Sequence, residues 1–402
     1  MNERQAVVRA TAARYRKSGK RGKSMILDEF LKLTGYNRKY GITLLSNWGI
    51  KKEMVIEGER VLVVAGQKGT ARKSRPVTYG EDVRKVLTRI WWVFDCICGK
   101  RLKAVLRWML PVLLKTPEFA CADEVWKKLE RISAATIDRV LKPEKAKGKV
   151  KGRSYTQPGR FLAHKIPILR SCDEKVPSPG YVQIDLVSHD GGIIGGDFSF
   201  TLNVTDVDSG WTEPVAVRNK AQKWVFEGLL GVRRRFPVAF LGIHSDNGGE
   251  FINDHLYRYC KSEEIKFTRS REYRKNDNCH VEQKNYSVVR RYVGYLRHDS
   301  DEEVGLLNQL YGEVRLLVNF FLPSMKLEEK IRVGSKVTRK YGEPKTPCLR
   351  LLESSLVDEE AKMSLRKEFE NLNPVLIQRS IQQLQEKLYK LARLKSSVKK
   401  AV

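Results

Sequence analysis

Three acidic residues have the types and spacing to do chemistry: Asp185 in YVQIDLV, Asp246 in FLGIHSD and Glu282 in NDNCHVEQKN. Around Asp185, Val182, Ile184 and Leu186 share one face of a strand and Gln183, Asp185 and Val187 the other, so the carboxylate is expected part-buried in a sheet. A charge there needs a partner. Asp246 closes a β-type run just before Asn247, Gly248 and Gly249, at the kind of strand end where α/β sheets place their ligands. Glu282 opens a helix whose apolar face is Val281, Val288, Val289, Tyr292 and Leu296, with Asn285 beside it on a polar face. Clustered carboxylates repel one another, and divalent cations remove that conflict. Hard oxygen ligands suit Mg²⁺, with Mn²⁺ able to substitute, better than Zn²⁺. Two such ions roughly 3.5–4 Å apart would activate an attacking oxygen on one side of a phosphodiester and stabilise the leaving oxygen on the other.

The elements that must position these acids follow from the apolar period. Residues 181–189, 198–206 and 211–217 read as strands; then come a helix over 221–236, a strand over 240–246, a helix over 250–264, a strand over 265–269 and two long helices, 279–297 and 302–321. Strands first, then alternating α and β, predict an α/β sheet covered by helices. Asp190, Asp197, Asp206, Asp208 and Asp277 are read as turn, strand-end or capping acids.

Upstream, residues 1–75 hold eighteen Lys or Arg against six acids. Ser24 is placed to cap a helix with Leu27, Phe30, Leu31 and Leu33 on its apolar face; Gly35 supplies a turn, and Asn37 caps a second helix through Leu45. This reads as helix-turn-helix, pointing Asn37, Arg38, Lys39 and Thr43 at DNA. Residues 81–142 form a second helical unit, with helices over 102–114, 122–129 and 133–141; Ser133 is a cap there, and Thr136, Arg139 and Lys142 line the exposed face. Basic linkers are expected at 66–80 and 143–176. The reading thus divides the chain into a helix-turn-helix unit at 1–65, the second helical unit at 81–142, a catalytic core at 177–325, a small basic segment at 326–356 and a helical tail at 357–402. In the tail Ile377, Ile381, Leu384, Leu388 and Leu391 give an apolar stripe best suited to packing on the same chain.

Composition bounds the function. The 402 residues are 41% hydrophobic, enough for two or three cores, while Lys+Arg 76 against Asp+Glu 47 leave +29 and a pI near 9.8. A polyanionic partner is the leading expectation. Seven scattered Cys, with no CxxC pair and no signal-like segment, point to a reducing, cytoplasmic location; the longest apolar run, 104–114, is too short for a membrane.

IDLV around Asp185, HSDNGGEF around Asp246, and Glu282 with thirty-five residues intervening resemble the DDE integrase and transposase superfamily over residues 177–325. The resemblance implies a ribonuclease-H-like core with a mixed five-stranded sheet, and Asp185, Asp246 and Glu282 as metal-binding catalytic triad. It implies supporting roles for Asn247 and Glu250. His280, Lys284 and Asn285 would contact the scissile strand, with capping or packing as the other reading of His280. Two helix-turn-helix units ahead of the core resemble bacterial insertion-sequence transposases, nucleoid-associated and oligomeric on double-stranded DNA. The histidine–cysteine zinc module of the retroviral branch has no counterpart, because the first histidine is His164 and only three Cys precede it. The implied activity is Mg²⁺-dependent cleavage at mobile-element ends and 3′-OH strand transfer into target DNA. A DNA-binding regulator with an architectural core, or a nuclease that cuts without joining, are the alternatives.

Overall fold

The computed structural model describes residues 3–56, 59–64, 78–146, 178–271 and 277–401. They belong to two compact units, Met1–Val77 and Thr78–Val402.

In the first unit, helices α1 (Glu3–Lys17), α2 (Lys20–Thr34) and α3 (Arg38–Asn47) precede an antiparallel pair, β1 (Lys51–Ile56) and β2 (Glu59–Val64). Gly35 ends α2 by taking φ 69°, a conformation glycine enters without steric cost, and its N–H returns to the Leu31 carbonyl at 2.9 Å. Asn37 then caps α3, accepting from the Lys39 N–H at 2.9 Å. Val8, Ala12, Tyr15, Ile26, Leu27, Phe30 and Leu45 form the core. Two details depart from the sequence reading. Ser24 caps nothing, because α2 starts at Lys20 after an extended Gly19 and leaves Ser24 inside the helix, where it takes Arg38 Nη2 at 3.2 Å. Leu33 is 75% exposed, since the buried stripe runs through Ile26, Leu27, Phe30 and Thr34. The β1–β2 hairpin was not anticipated.

The second unit opens with helices α4 (Glu81–Val93), α5 (Gly99–Trp108), α6 (Leu110–Lys115), α7 (Asp123–Arg131), α8 (Ala134–Val140) and the single turn α9 (Lys142–Lys145). The helix expected over 102–114 is broken at Met109, because Pro111 has no N–H to continue the ladder. Gly99 lies so close to α8 that an added Cβ would stand 2.3 Å from the Ala134 carbonyl oxygen.

The sheet comprises β3 (Tyr181–Ser188), β4 (Phe200–Asp206), β5 (Thr212–Val217), β6 (Gly242–Ser245) and β7 (Lys266–Arg269), in the order β5-β4-β3-β6-β7. β3, β4 and β5 pair antiparallel, while β6 and β7 run parallel to β3, so the expected mixed five-stranded sheet is present. Helices α10 (Gln222–Arg235) and α11 (Asp254–Ser262) connect β5 to β6 and β6 to β7. α11 begins later than expected, at the Asn253 cap, which accepts from Leu256 N–H at 2.8 Å.

The long helix expected over 279–297 is three pieces: α12 (Cys279–Lys284), a π-helical turn Asn285–Arg290 and α13 (Arg291–Val293). Gly294, with φ 77°, stops it and leaves Leu296 39% exposed rather than in the core. α14 (Asp301–Leu316) starts at a Ser300–Glu303 capping box and ends in a second π-helical turn, Leu317–Phe321. After it come a hairpin, β8 (Leu327–Val333) and β9 (Lys336–Tyr341), then α15 (Pro347–Glu353), α16 (Glu359–Glu370) and α17 (Pro374–Ala401). Ile377, Ile381, Leu384 and Leu388 are buried, and α17 lies on α14.

One apolar cluster runs from Val83 of α4 through the sheet to Leu388 of α17. Phe94 packs edge-on against Phe321 at 6.3 Å, so α4–α8 share a core with the sheet and the C-terminal helices. The basic connections at 66–80 and 143–176 lie, except at their edges, outside the described residues.

Candidate active site

The site begins with strand register. Ile184 of β3 pairs with Ser245, the last residue of β6, so the next residues, Asp185 and Asp246, stand side by side where β6 leaves the sheet. Asp246 turns the chain by accepting from the Gly248 N–H at 3.0 Å. Asn247 fixes that turn, donating to the Ser270 carbonyl at 3.0 Å and accepting from Arg269 at 3.0 Å. Glu250 folds back over Gly248, where an added Cβ would meet its carboxyl group at 2.7 Å.

Glu282 is brought to this edge by hydrogen bonds from β3 itself. Gln183, two residues before Asp185 and on the same face, accepts from the N–H groups of His280 and Val281 at 3.0 and 3.2 Å, and so caps α12. It also donates to the Asp277 carbonyl at 3.2 Å, and Asn278 donates to the Ile184 carbonyl at 3.3 Å. The strand that carries one acid therefore anchors the helix that carries another. Asn285, where α12 passes into the π-helical turn, donates to Asp185 Oδ2 at 2.5 Å and accepts from Asn203 at 3.0 Å. Asn203 faces Asp185 across the β3–β4 pair and is fully buried.

Electrostatics single out Asp185. Its pKa is pushed up to about 7, first by burial, then by Asp246 and, more weakly, by Glu282; Asn285 and the Leu186 N–H act the other way. Burial also raises Asp246, and burial together with Asp246 raises Glu250. Three other buried acids are compensated, Glu213 by Arg235 and Arg315 at 2.8 and 2.9 Å, Asp277 by Arg271 at 2.7 Å, and Glu303 by His298 and Lys395, while Asp206, pushed up to about 6 by burial, is held by hydrogen bonds from Ser209 and the Gly180 N–H. Asp185 and Asp246 have no ion pair with a basic side chain among the described residues. Uncompensated carboxylates with oxygen donors only are the donor set a hard divalent cation requires. Among the described residues no three His, Cys, Asp or Glu side chains close into a ready ligand shell, so the acids affect one another's ionisation without converging on a single point.

The remaining residues singled out in the sequence fall into several places. His280, exposed on the first turn of α12, is held below the usual imidazole range by desolvation and by Lys326 and Lys284. Burial, then the charges of Arg350 and Arg101, lowers Lys284 to about 8. In the first unit Asn37, Arg38, Lys39 and Thr43 are all exposed; Arg38 pairs with Asp28, and Thr43 bonds back to the Lys39 carbonyl at 3.1 Å. Thr136 is half-buried, bonded to the Ser133 cap and to Arg139 at 3.0 and 2.9 Å, while Arg139 is exposed. Sequence reasoning missed Gln183, Asn203 and Asn278. Gln183 carried a signal, the face it shares with Asp185; Asn203 required the strand pairing.

The fold and site together define an α/β protein with acidic residues gathered where its parallel strands end. No family profile matches the chain. The chain belongs to the same family as the protein named "Uncharacterized protein y4rM" from Sinorhizobium fredii (strain NBRC 101917 / NGR234), to which it is 37% identical over 350 residues, 87% of this chain and 95% of that protein. Among solved structures it is similar to the magnesium-bound, dimeric catalytic core domain of HTLV-2 integrase (14% identity, 36% of this chain and 90% of that one, TM-score 0.28). It is also similar to the catalytic core domain of BIV integrase (16%, 47% and 98%, TM-score 0.29).

Proposed function

We propose that the chain is a metal-dependent polynucleotidyl transferase of the DDE transposase and integrase type, which cuts DNA at mobile-element ends and joins the freed 3′-OH to target DNA. The observation that carries the reading is Asp185, a part-buried carboxylate with no cationic partner among the described residues, whose ionisation Asp246 and Glu282 both oppose. Bound Mg²⁺ would supply activation of the attacking oxygen and stabilisation of the leaving one. Asp185, Asp246 and Glu282 would hold the metal, with two ions as the working number. Asn285 keeps the Asp185 carboxylate turned toward the site, Gln183 fixes the start of the Glu282 helix, and Asn247 fixes the turn after Asp246. The net charge of +29 supports a nucleic-acid substrate. Asn37, Arg38, Lys39 and Thr43 on the first unit are proposed to read the element ends, and two ends held together call for an oligomer on DNA.

The test is a strand-transfer gel with end oligonucleotides. Wild type in Mg²⁺ should cut and join, EDTA should stop both, and Asp246→Asn should lose both while keeping end binding. Retained joining in Asp246→Asn overturns the assignment of the triad. Cutting without joining identifies a nuclease, and end binding with neither activity identifies a regulator.

A further inference from the structure

The hairpin β8–β9 buries neither of its faces among the described residues: every residue of β8 is exposed, and in β9 only Val337 is half-buried. A two-stranded hairpin alone in water is marginal at best. This one is fixed at its base. Ser324 and Lys345 exchange both backbone hydrogen bonds at 2.9 and 3.1 Å, and the Gly342 N–H donates to the Lys326 carbonyl at 3.0 Å. Arg350 of α15 donates to the Ser324 and Ser209 carbonyls at 2.5 and 2.9 Å. Strand register then sorts the side chains. Lys330 stands opposite Arg339 and Arg332 opposite Val337, so these four share one face; the pairs Glu329–Lys340, Ile331–Thr338 and Val333–Lys336 share the other. The first face thus carries three cations and no acid. None of the three has an ion pair among the described residues, and Arg332 donates to the Gly334 carbonyl at 3.3 Å. Acids at the base are already taken: Asp208 by Lys326 at 2.8 Å, Glu343 by Arg107 at 3.1 Å and Glu353 by Lys345 at 2.6 Å. Like charges directly opposite across an antiparallel pair are unfavourable, and guarding a strand edge against aggregation needs charge but no such pair.

We infer that β8–β9 is a DNA-binding ribbon, which lays Lys330, Arg332 and Arg339 on the phosphates of a duplex. Seven residues of strand span about 23 Å, and a major groove roughly 12 Å wide admits a two-stranded ribbon. Phosphates would relieve the Lys330–Arg339 repulsion and accept from both guanidiniums. Charge also selects the partner. Over 327–341 there are five basic side chains against two acidic, and one of the acids, Glu329, already stands opposite Lys340. A second copy of the chain would use Ile331 and Val333 on the other face, but would leave the cationic face unanswered. Register, exposure and charge define the ribbon by themselves; only the choice of DNA as its polyanion rests on the function proposed above.

The experiment uses the full chain in EDTA, so that no turnover contributes, with a labelled 30-base-pair duplex of arbitrary sequence followed by anisotropy across a salt series. The test variant combines Lys330→Gln, Arg332→Gln and Arg339→Gln. A charge-matched control combines Lys367→Gln, Lys387→Gln and Lys390→Gln, three exposed lysines of α16 and α17. All six side chains are exposed, so neither variant should melt below wild type. The ribbon predicts that the test variant binds about 10–100-fold more weakly and lowers the salt slope by about two to three, while the control stays near wild type. Lys330→Arg with Arg339→Lys should restore wild-type binding, since phosphate contact asks for charge. Wild-type affinity and slope in the test variant, or an equal loss in the control, would overturn the ribbon. Unchanged duplex binding with a smaller assembly on sedimentation would overturn it too, and would give the hairpin to a second copy. Cutting and joining by wild type in Mg²⁺ are scored apart, so the ribbon can fail while the triad stands, and the reverse.

Discussion

Asn285 donates to Oδ2 of Asp185 at 2.5 Å, tying a π-helical turn to the middle strand of the sheet across one hundred residues of sequence. A side chain that orients a metal-binding carboxylate typically alters metal affinity or activity 10–100-fold when removed. Asn285→Ala should therefore raise the Mg²⁺ concentration needed for half-maximal cleavage by about that factor, with duplex binding in EDTA unchanged. An unshifted Mg²⁺ titration would remove Asn285 from this role.

Asp185 carries the largest uncompensated charge cost at the site. A folded-state pKa raised above the unfolded 3.8 means that ionisation disfavours the fold, with the loss building as pH rises from about 4 to 7. Asp185→Asn should therefore melt a few degrees above wild type at pH 7.5 without metal, and should lose the stabilisation that Mg²⁺ gives wild type. A lower melting temperature would mean that the carboxylate serves the fold rather than the site.

Gln183 caps the helix that bears Glu282. Gln183→Ala should cost about 1 kcal/mol, the usual loss for a helix cap. Activity should fall more than that stability loss explains, because Glu282 is set loose. Cleavage measured well below the melting temperature separates the two effects, and unchanged turnover there would refute the positioning role.

His189 and His298 lie fully buried with rings 5.6 Å apart. His189 bonds Thr201 at 2.7 Å, and burial together with His298 pushes its pKa well below the usual value. The unfolded chain therefore binds a proton that the folded chain refuses, so stability falls as pH drops below about 6.5. Glu303, held down by His298 and Lys395 against the effect of burial, adds a loss of the same sign as pH falls below about 4.5. Urea midpoints at pH 7.5 and 5.5 should differ, and His189→Asn should shrink that difference. An equal difference in the variant would absolve His189.

Lys39 and Arg38 stand exposed on α3, with Arg38 in a surface pair with Asp28. Such pairs contribute little to stability. Arg38→Ala with Lys39→Ala should leave the melting point nearly unchanged, weaken binding to element-end duplex and lower the salt slope by one to two. Unaltered end preference would move recognition elsewhere.

Strand alternation was legible: the face bearing Gln183 and Asp185 could be drawn from sequence because a strand repeats every two residues. The turns of helical segments were less so. Period reading assumes one pitch and one continuous run, and so carried the helix from 279 through to 297 across both the π-helical turn and Gly294. Ser24 was misread because the helix extends a turn further upstream than its apolar residues do. At the candidate site the three acids stand out by type and spacing. Their neighbours do not, since Asn203 meets Asp185 only through strand pairing.

The Asn285–Arg290 turn accommodates one residue more than an ordinary helical coil. Excising Ser287 would let the segment tighten to an ordinary coil, so the residues beyond it would keep nearly their present facing. Val288 and Val289 would stay in the interior and Asn285 beside Asp185. The regular coil of α14 has no such slack, and one residue removed there would swing every later side chain by roughly 100°, a contrast that a deletion scan would expose and a substitution scan would overlook.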